Sequence, residues 1–432
     1  MRRRYLLALL PLAACAAPAA GPSASVSPPT TPSAAASGAA AADAAGPIQP
    51  PVASGDMVFD AWASEFYDRA VKAGIAPALV SREMAGLTPD PRVTSRDSRQ
   101  PEFSQPISAY IAGAVSDGPI AAGMKKRTEV ASLAAIEQRY GVPREILIGV
   151  WSRESAFGAI QGDFDVVRSM ASLAAQGRRR DWAEGELIAA LKIIGSGEFS
   201  RGQLKGSWAG AMGQTQFIPS TFLSTAVDGD GDGKRDIWTS APDALASAAD
   251  LLAKGGWVRG QGWAREVTVP AGFDFSLSEG PKEAPSWWAE KGVRRADGLP
   301  WNAADQAAPA QLLAPAGASG PIFLLFPNHF VIRKYNNSVA YALAVGLLAD
   351  RISGQGPLVR AWPSEVPLSL ADRMTAQRAL AALGFDPGQP DGVVGMGTRA
   401  QLRAWQKARG FAADGYLSPA MVEKLKAEAG GP

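Results

Sequence analysis

The chain carries one cysteine and one histidine in 432 residues. With Cys15 as its sole thiol, no intramolecular disulfide can form. His329 alone cannot build a zinc cluster, and any Ser-His-Asp triad would have to use that one ring. A surplus of one charge is missing too: 43 Lys and Arg face 41 Asp and Glu, a net charge of +2. No basic surface for nucleic acid is expected from that balance. After Ala14 no stretch stays apolar for the roughly 18 residues of a membrane-spanning helix. Carboxylate chemistry is what remains.

The N-terminus holds an apolar run behind a charged start. Met1-Arg2-Arg3-Arg4 precedes Tyr5 to Ala14, and Cys15 follows, the layout of an export signal. Without the three arginines, 40 basic residues stand against 41 acidic ones, a net charge of −1. Leu12-Ala13-Ala14-Cys15 resembles a bacterial lipobox, which implies a lipidated Cys15 as mature N-terminus and membrane anchor. A signal cleaved near Ala20 is the alternative. Onward to about Pro51 the chain is almost all Ala, Pro, Ser, Gly and Thr, too poor in apolar bulk to fold and suited to a flexible tether. The expected order is a signal over 1–14, a tether over 15–55, a large domain over 56–362 and a small one over 367–428. A periplasmic monomer is expected. If Cys15 is lipidated, Ala16 favours the outer membrane by the sorting habit of enteric bacteria.

Helical periodicity dominates the large domain, over 59–73, 77–84, 107–138, 144–155, 181–195, 242–254 and 338–351, with β-like patches at 265–270 and 321–326. The class is therefore mainly α, or α+β. On the segment from Arg144 to Ser155, Leu147, Val150, Trp151 and Glu154 share one face. Burying a carboxylate there without a partner costs several kcal/mol. The protonated form is cheaper, so the pKa of Glu154 should be raised into the range of a proton donor. Glu145, beside Gly149 and Ser152, reads as solvated. A helix-end glutamate turned to water, with the helix stopped at Gly158, explains the same residues.

Some fifty residues later comes Gly206-Ser207-Trp208-Ala209-Gly210-Ala211-Met212-Gly213-Gln214-Thr215-Gln216. Its small residues permit close backbone approach to another surface, and Ser207, Gln214 and Gln216 could bind a polar ligand. A tightly packed loop without a ligand is the plainer reading. Asn328 to Tyr341 adds polar and aromatic groups that suit a sugar, although a capped helix accounts for half of them. The segments WSRESAFG, GSWAGAMGQTQFIPSTF, DGDGDGKRDIWTSAPDALAS and NHFVIRKYNNSVAYALAV resemble, in order, those of the membrane-bound lytic murein transglycosylase B family, over roughly 59–351. The resemblance implies a lysozyme-like fold and cleavage of the MurNAc–GlcNAc bond of peptidoglycan without water, closing a 1,6-anhydro ring. It also implies that Glu154 is the single acid/base, with Ser207, Gln216, Asn336 and Tyr341 around the scissile sugar. A muramidase using water, with a second carboxylate such as Glu198, and a non-catalytic wall-binding scaffold are the competing readings.

Asp228, Asp230, Asp232 and Asp236 occupy positions 1, 3, 5 and 9 of an EF-hand-like loop, with Gly233 at 6 and Lys234 offering a carbonyl at 7. Thr239 stands where the closing glutamate belongs. The resemblance implies closure by Asp243 and a structural calcium ion, with no cofactor needed for the chemistry. The plainer reading is a solvated Asp-Gly turn.

Beyond Pro367, Ser369, Thr398 and Ser418 read as N-caps, Thr398 with Gln401 as a capping box and Pro419 as a first helical residue. Leu380, Leu383, Leu402, Trp405, Val422 and Leu425 would form the core of three short helices. QRALAALGF and DGVVGMGTRAQLRAWQ resemble the small three-helix peptidoglycan-binding domain of cell-wall hydrolases.

Overall fold

The computed structural model describes residues 54–98, 106–364 and 366–430. The expected signal, Cys15 and nearly all of the tether lie outside these residues. Helices α1 (Met57–Lys72), α2 (Pro77–Met84) and α3 (Pro91–Ser98) come first, followed by α4 (Ile107–Ala114), α5 (Asp117–Glu129), α6 (Leu133–Tyr140) and α7 (Arg144–Ser155). A two-stranded ribbon, β1 (Phe164–Asp165) and β2 (Lys205–Gly206), brackets α8 (Val166–Ala175) and α9 (Arg180–Gly195). Then come α10 (Pro219–Thr225) and α11 (Ala241–Lys254).

A five-stranded antiparallel sheet follows, from β3 (Ala264–Thr268), β4 (Lys282–Glu283), β5 (Arg294–Arg295), β6 (Ala310–Leu313) and β7 (Ile322–Leu325), in the order β4-β6-β7-β3-β5. The short α12 (Pro285–Glu290) and α13 (Ala303–Gln306) flank it. The chain returns to the helical core through α14 (Pro327–Tyr335) and α15 (Val339–Ile352), and closes with α16 (Leu370–Ala382), α17 (Met396–Ala408) and α18 (Pro419–Glu428). Three apolar cores result, one for the helical body, one for the sheet and one for the last three helices. Among the described residues no helix is long and apolar enough to cross a membrane.

The expected helix over 107–138 is three helices. Ser116 begins α5, whose first turn contains Gly118 and Pro119; proline tolerates a first turn and not an interior. Val130, in extended conformation, ends it. Thr398 is no N-cap: α17 starts from Gly395, and the Thr398 hydroxyl instead accepts from Gln377 Nε2 at 3.2 Å. Ser369 and Ser418 cap as expected, and Ser369 forms a capping box with Asp372. Of the expected small core, Leu383 is only half-buried.

The central pair is α7 on α15. Helix α7 is buried nearly all round, at Ile146, Leu147, Ile148, Gly149, Val150, Trp151 and Ser152. The solvated face expected at Glu145 is thus absent; its carboxylate pairs with Arg127 Nε at 2.8 Å. At Gly149 a Cβ would sit 2.8 Å from the Val345 carbonyl oxygen, so glycine sets how closely the two helices approach. Gly149→Ala should cost about 1–3 kcal/mol, as overpacking against rigid backbone does. Urea denaturation checks this, and unchanged stability would refute the close-approach argument.

Candidate active site

Glu154 lies in the last turn of α7, and the backbone turns sharply after it. Ala156 and Phe157 both take left-handed φ, at 50° and 61°, a strain that non-glycine residues keep only where the surroundings enforce it. Here the enforcement is visible. Ser155 Oγ donates to the Gln214 carbonyl at 2.6 Å and accepts from Gly158 N at 2.8 Å. Trp151 Nε1 donates to Gln214 Oε1 at 3.0 Å.

Glu154 as a whole residue is half-buried, and its carboxyl is closely surrounded by protein. Burial pushes its pKa up to about 7, against the smaller downward pulls of the Tyr341 hydrogen bond and the Arg153 charge. Tyr341 Oη donates to Glu154 Oε1 at 2.5 Å. The Tyr341 ring is buried, and Ser338 caps the start of its helix by accepting from Tyr341 N at 3.3 Å. No acidic side chain contributes to the shift of Glu154.

Ser207 Oγ accepts from Ala209 N at 3.3 Å and Ala211 N at 3.1 Å, which leaves its proton to donate elsewhere. Gln216 holds left-handed backbone, φ 54°, and gives its amide hydrogens to Gln161 O and Gly213 O. Its Oε1 has no hydrogen bond among the described residues. Asn336 ends α14, half-buried, with its side-chain amide unengaged among the described residues. Gln214 is placed differently from the others. Its Oε1 takes Trp151, and its Nε2 reaches Trp238 O at 3.3 Å, so it is tied into the protein while one amide hydrogen stays available to a ligand.

The small residues of this loop approach protein backbone. A Cβ at Gly206 would lie 2.2 Å from Ala211 O, and one at Gly213 2.7 Å from Ile237 O. Arg153 and Tyr110 join the surroundings of the acid without having been expected there, and Tyr335 belongs to the segment expected to suit a sugar. Arg153 Nη2 donates to Tyr110 Oη at 3.1 Å, with its guanidinium over that ring. Tyr335 Oη donates to Thr215 O at 2.6 Å. Arg153, adjacent to the acid in sequence, was the one available signal. Glu198 is committed to Arg235, whose backbone N and guanidinium it accepts. His329 is buried against Trp263 with both ring nitrogens unpartnered, and burial holds its pKa down at about 3.

In the acidic loop, ligand oxygens of Asp228, Asp230, Asp232 and Asp243 lie within 4.8 Å of one another. Asp236 departs from the expected ligand set: it accepts from Trp238 N and Thr239 N and caps the next turn. Asp243 is fully buried, and its Oδ2 accepts from Asp236 N at 2.7 Å. Four carboxylates at such spacing repel strongly. An all-oxygen donor set of this kind fits a hard divalent cation.

A buried acid at the end of a buried helix, within a mostly helical body, is the arrangement of a lysozyme-like enzyme domain. Residues 58–350 match the Transglycosylase SLT domain family, and the chain belongs to it; residues 369–425 match a peptidoglycan binding domain family. The chain is similar to SltB3 from Pseudomonas aeruginosa, solved in complex with NAG-anhNAM-pentapeptide, with 45% identity, TM-score 0.81, and cover of 85% of this chain and 99% of that one. It is 31% identical over 222 residues to membrane-bound lytic murein transglycosylase B of Escherichia coli (strain K12), over 50% of this chain and 58% of that protein's length. The Escherichia coli lytic transglycosylase Slt35, solved in complex with calcium, shares 27% identity with TM-score 0.57, over 68% of this chain and 92% of that one.

The raised pKa of Glu154 has a definite sign in stability. Below pH 4.5 both folded and unfolded carboxyls are protonated and the group contributes nothing. Between 4.5 and about 7 the unfolded carboxyl ionises first, so the folded state loses stability as pH rises. Glu154→Gln should therefore stabilise the protein by about 3 kcal/mol at pH 8 relative to its effect at pH 4. Paired chemical denaturation of both proteins at the two pH values checks it; a pH-independent difference would mean that the carboxyl is not held neutral.

Proposed function

We propose that this protein is a lytic transglycosylase that cuts the MurNAc–GlcNAc β-1,4 bond of peptidoglycan without water and leaves 1,6-anhydro-MurNAc ends. The observation that carries the reading is one buried carboxyl, raised toward neutral pH, with a tyrosine on one oxygen and no acidic partner. Ordinary glycosidases need two carboxyl groups. Because Tyr341 donates to Oε1, the proton of neutral Glu154 resides on Oε2, free to pass to the glycosidic oxygen. The C–O bond breaks as that proton arrives, and the substrate's N-acetyl oxygen stabilises the charge at the anomeric carbon. Glu154, now a carboxylate, takes the proton of the C6 hydroxyl, whose oxygen closes on C1. That hydroxyl is tethered to the reacting sugar and so outcompetes water. General acid–base assistance of this kind is worth on the order of 10²–10⁴ in rate.

Ser207 through its free proton, Gln216 through Oε1 and Asn336 through its amide would hold the sugars. Gln214 supports the loop that carries them. The C-terminal helices would hold the wall, and Cys15 would tether the protein to the outer membrane from the periplasmic side, as a monomer.

Mass spectrometry of digested sacculi tests the chemistry. Muropeptides lighter by one water should appear with the wild type and vanish with Glu154→Gln. Reducing ends in their place would make it a muramidase, and unchanged digestion by the variant would sink the role of Glu154.

Asp228, Asp230, Asp232 and Asp243 would hold calcium in a structural role, with Lys234 lending its carbonyl. Calcium at a hundred times its Kd should stabilise the fold by about 2.7 kcal/mol. EDTA should reverse the gain, and Asp243→Asn should abolish it while leaving the cleavage products unchanged. A melting temperature indifferent to calcium would refute the site.

A further inference from the structure

A cavity of about 860 Å³ lies at the end of α15 away from Tyr341. Tyr341 near the start of that helix serves Glu154; Asp350 near its end lines this cavity. Nine residues of helix separate them by about 13 Å. The volume is that of a site for a small organic ligand.

The walls are built rather than incidental. Asp350 Oδ2 accepts from Trp263 Nε1 at 3.1 Å, and Oδ1 accepts from Gln355 Nε2 at 3.2 Å. Burial pushes the Asp350 carboxyl up to about 7, with the Arg265 charge pulling the other way. The opposite wall is the segment from Gly356 to Trp362, which leads from the helical body toward α16. Glu266 fixes that segment by accepting from Val359 N at 2.7 Å and Arg360 N at 2.8 Å. Trp362 leans on Phe323, ring centroids 6.3 Å apart. Leu347 adds aliphatic surface.

Two cations at this cavity have no work elsewhere. The guanidinium groups of Arg351 and Arg360 line it and make no hydrogen bond or ion pair among the described residues. Arg265 and Arg295, by contrast, are taken up by Asp305 and Asp297. Free guanidinium beside apolar and aromatic surface selects a carboxylate-bearing chain, since the planar fork pairs with carboxylates in bidentate fashion.

We propose that this cavity is a subsite for the peptide stem of peptidoglycan, with Arg351 and Arg360 taking its carboxylates and Trp362 and Leu347 its apolar part. The inference rests on the transglycosylase reading for the identity of the wall, and on this cavity alone for the binding. Five extended residues span about 17 Å, against about 13 Å of helix between Tyr341 and Asp350. The similar SltB3 structure holds a pentapeptide-bearing muropeptide, so a stem of that length is the natural probe.

The test uses the full chain. Calorimetry with free stem pentapeptide should show binding, weakened about tenfold or more in Arg351→Ala/Arg360→Ala by loss of charge-assisted hydrogen bonds. The double variant should raise KM about fivefold or more on peptide-bearing strands, with kcat kept, and leave strands stripped of peptide by an amidase unaffected. Should it fail to fold, Arg360→Glu at the exposed rim should give the same selective change. No binding of the pentapeptide, equal binding of an ordinary acidic pentapeptide of the same charge, or an equal effect on both kinds of strand would overturn the subsite. If no strand is cut even by the wild type, the transglycosylase reading fails, while calorimetry still decides whether the cavity binds the peptide.

Discussion

The hydrogen bond from Tyr341 to Glu154 joins the two helices that carry the site, and its strength depends on what surrounds it. Burial disfavours the carboxylate, and the tyrosine favours it. The balance leaves the acid near neutral pH, where gaining and losing a proton cost similar amounts. A dry pocket alone would hold the group protonated; a pair of donors would hold it ionised. One donor, with the Arg153 charge nearby, keeps both states reachable. The contact requires α7 and α15 to lie close, which Gly149 permits by leaving the space that the Val345 carbonyl fills.

The loop after α7 and the Gly-rich loop act as one piece. Ser155, Trp151 and Gln214 exchange buried hydrogen bonds, and Gln214 also holds the Trp238 backbone beside the acidic loop. The left-handed turn at Ala156 and Phe157 is a cost that this network offsets. A network of satisfied buried groups fixes one arrangement more firmly than apolar packing does. It places Glu154 and Ser207 on a common frame, with the acidic loop bracing the frame from behind.

Much of the fold was legible because its signals were local. Helices 77–84 and 144–155 were read with their observed limits, since Pro77 and the apolar face of α7 are strong markers. The acid stood out because a carboxyl among Leu147, Val150 and Trp151 breaks the helical pattern. What escaped was set by tertiary contact. Period alone cannot tell a one-faced helix from a buried one, so the pairing of Glu145 with Arg127 was invisible. Gly118 and Pro119 marked a break inside 107–138, but apolar periodicity on either side masked it. Gln214 and Asp236 suit a sugar and a metal by residue type; both also hold nearby backbone, a second use that the sequence pattern alone does not reveal. The cleft at Asp350 needed three segments to meet and left no mark in any one of them.

The C-terminal helices are held to the preceding body by half-buried charge as well as by chain connection. Glu279, in left-handed conformation with φ 61°, receives Arg399 at 2.9 and 2.5 Å and Arg403 at 2.5 Å. These guanidinium groups hold its carboxyl below the usual range against the effect of burial. Asp414 makes a second anchor by accepting from Ala318 N at 2.9 Å, beside a glycine whose Cβ would strike it. A paired buried charge adds little net stability compared with apolar packing, yet leaving either partner alone is costly. Such contacts therefore specify orientation more than they strengthen attachment. The small helical unit is set at a fixed angle to the body, and the segment joining them is pinned by Glu266. Three half-buried charges meet at this junction, and separating the units would leave each without its partner.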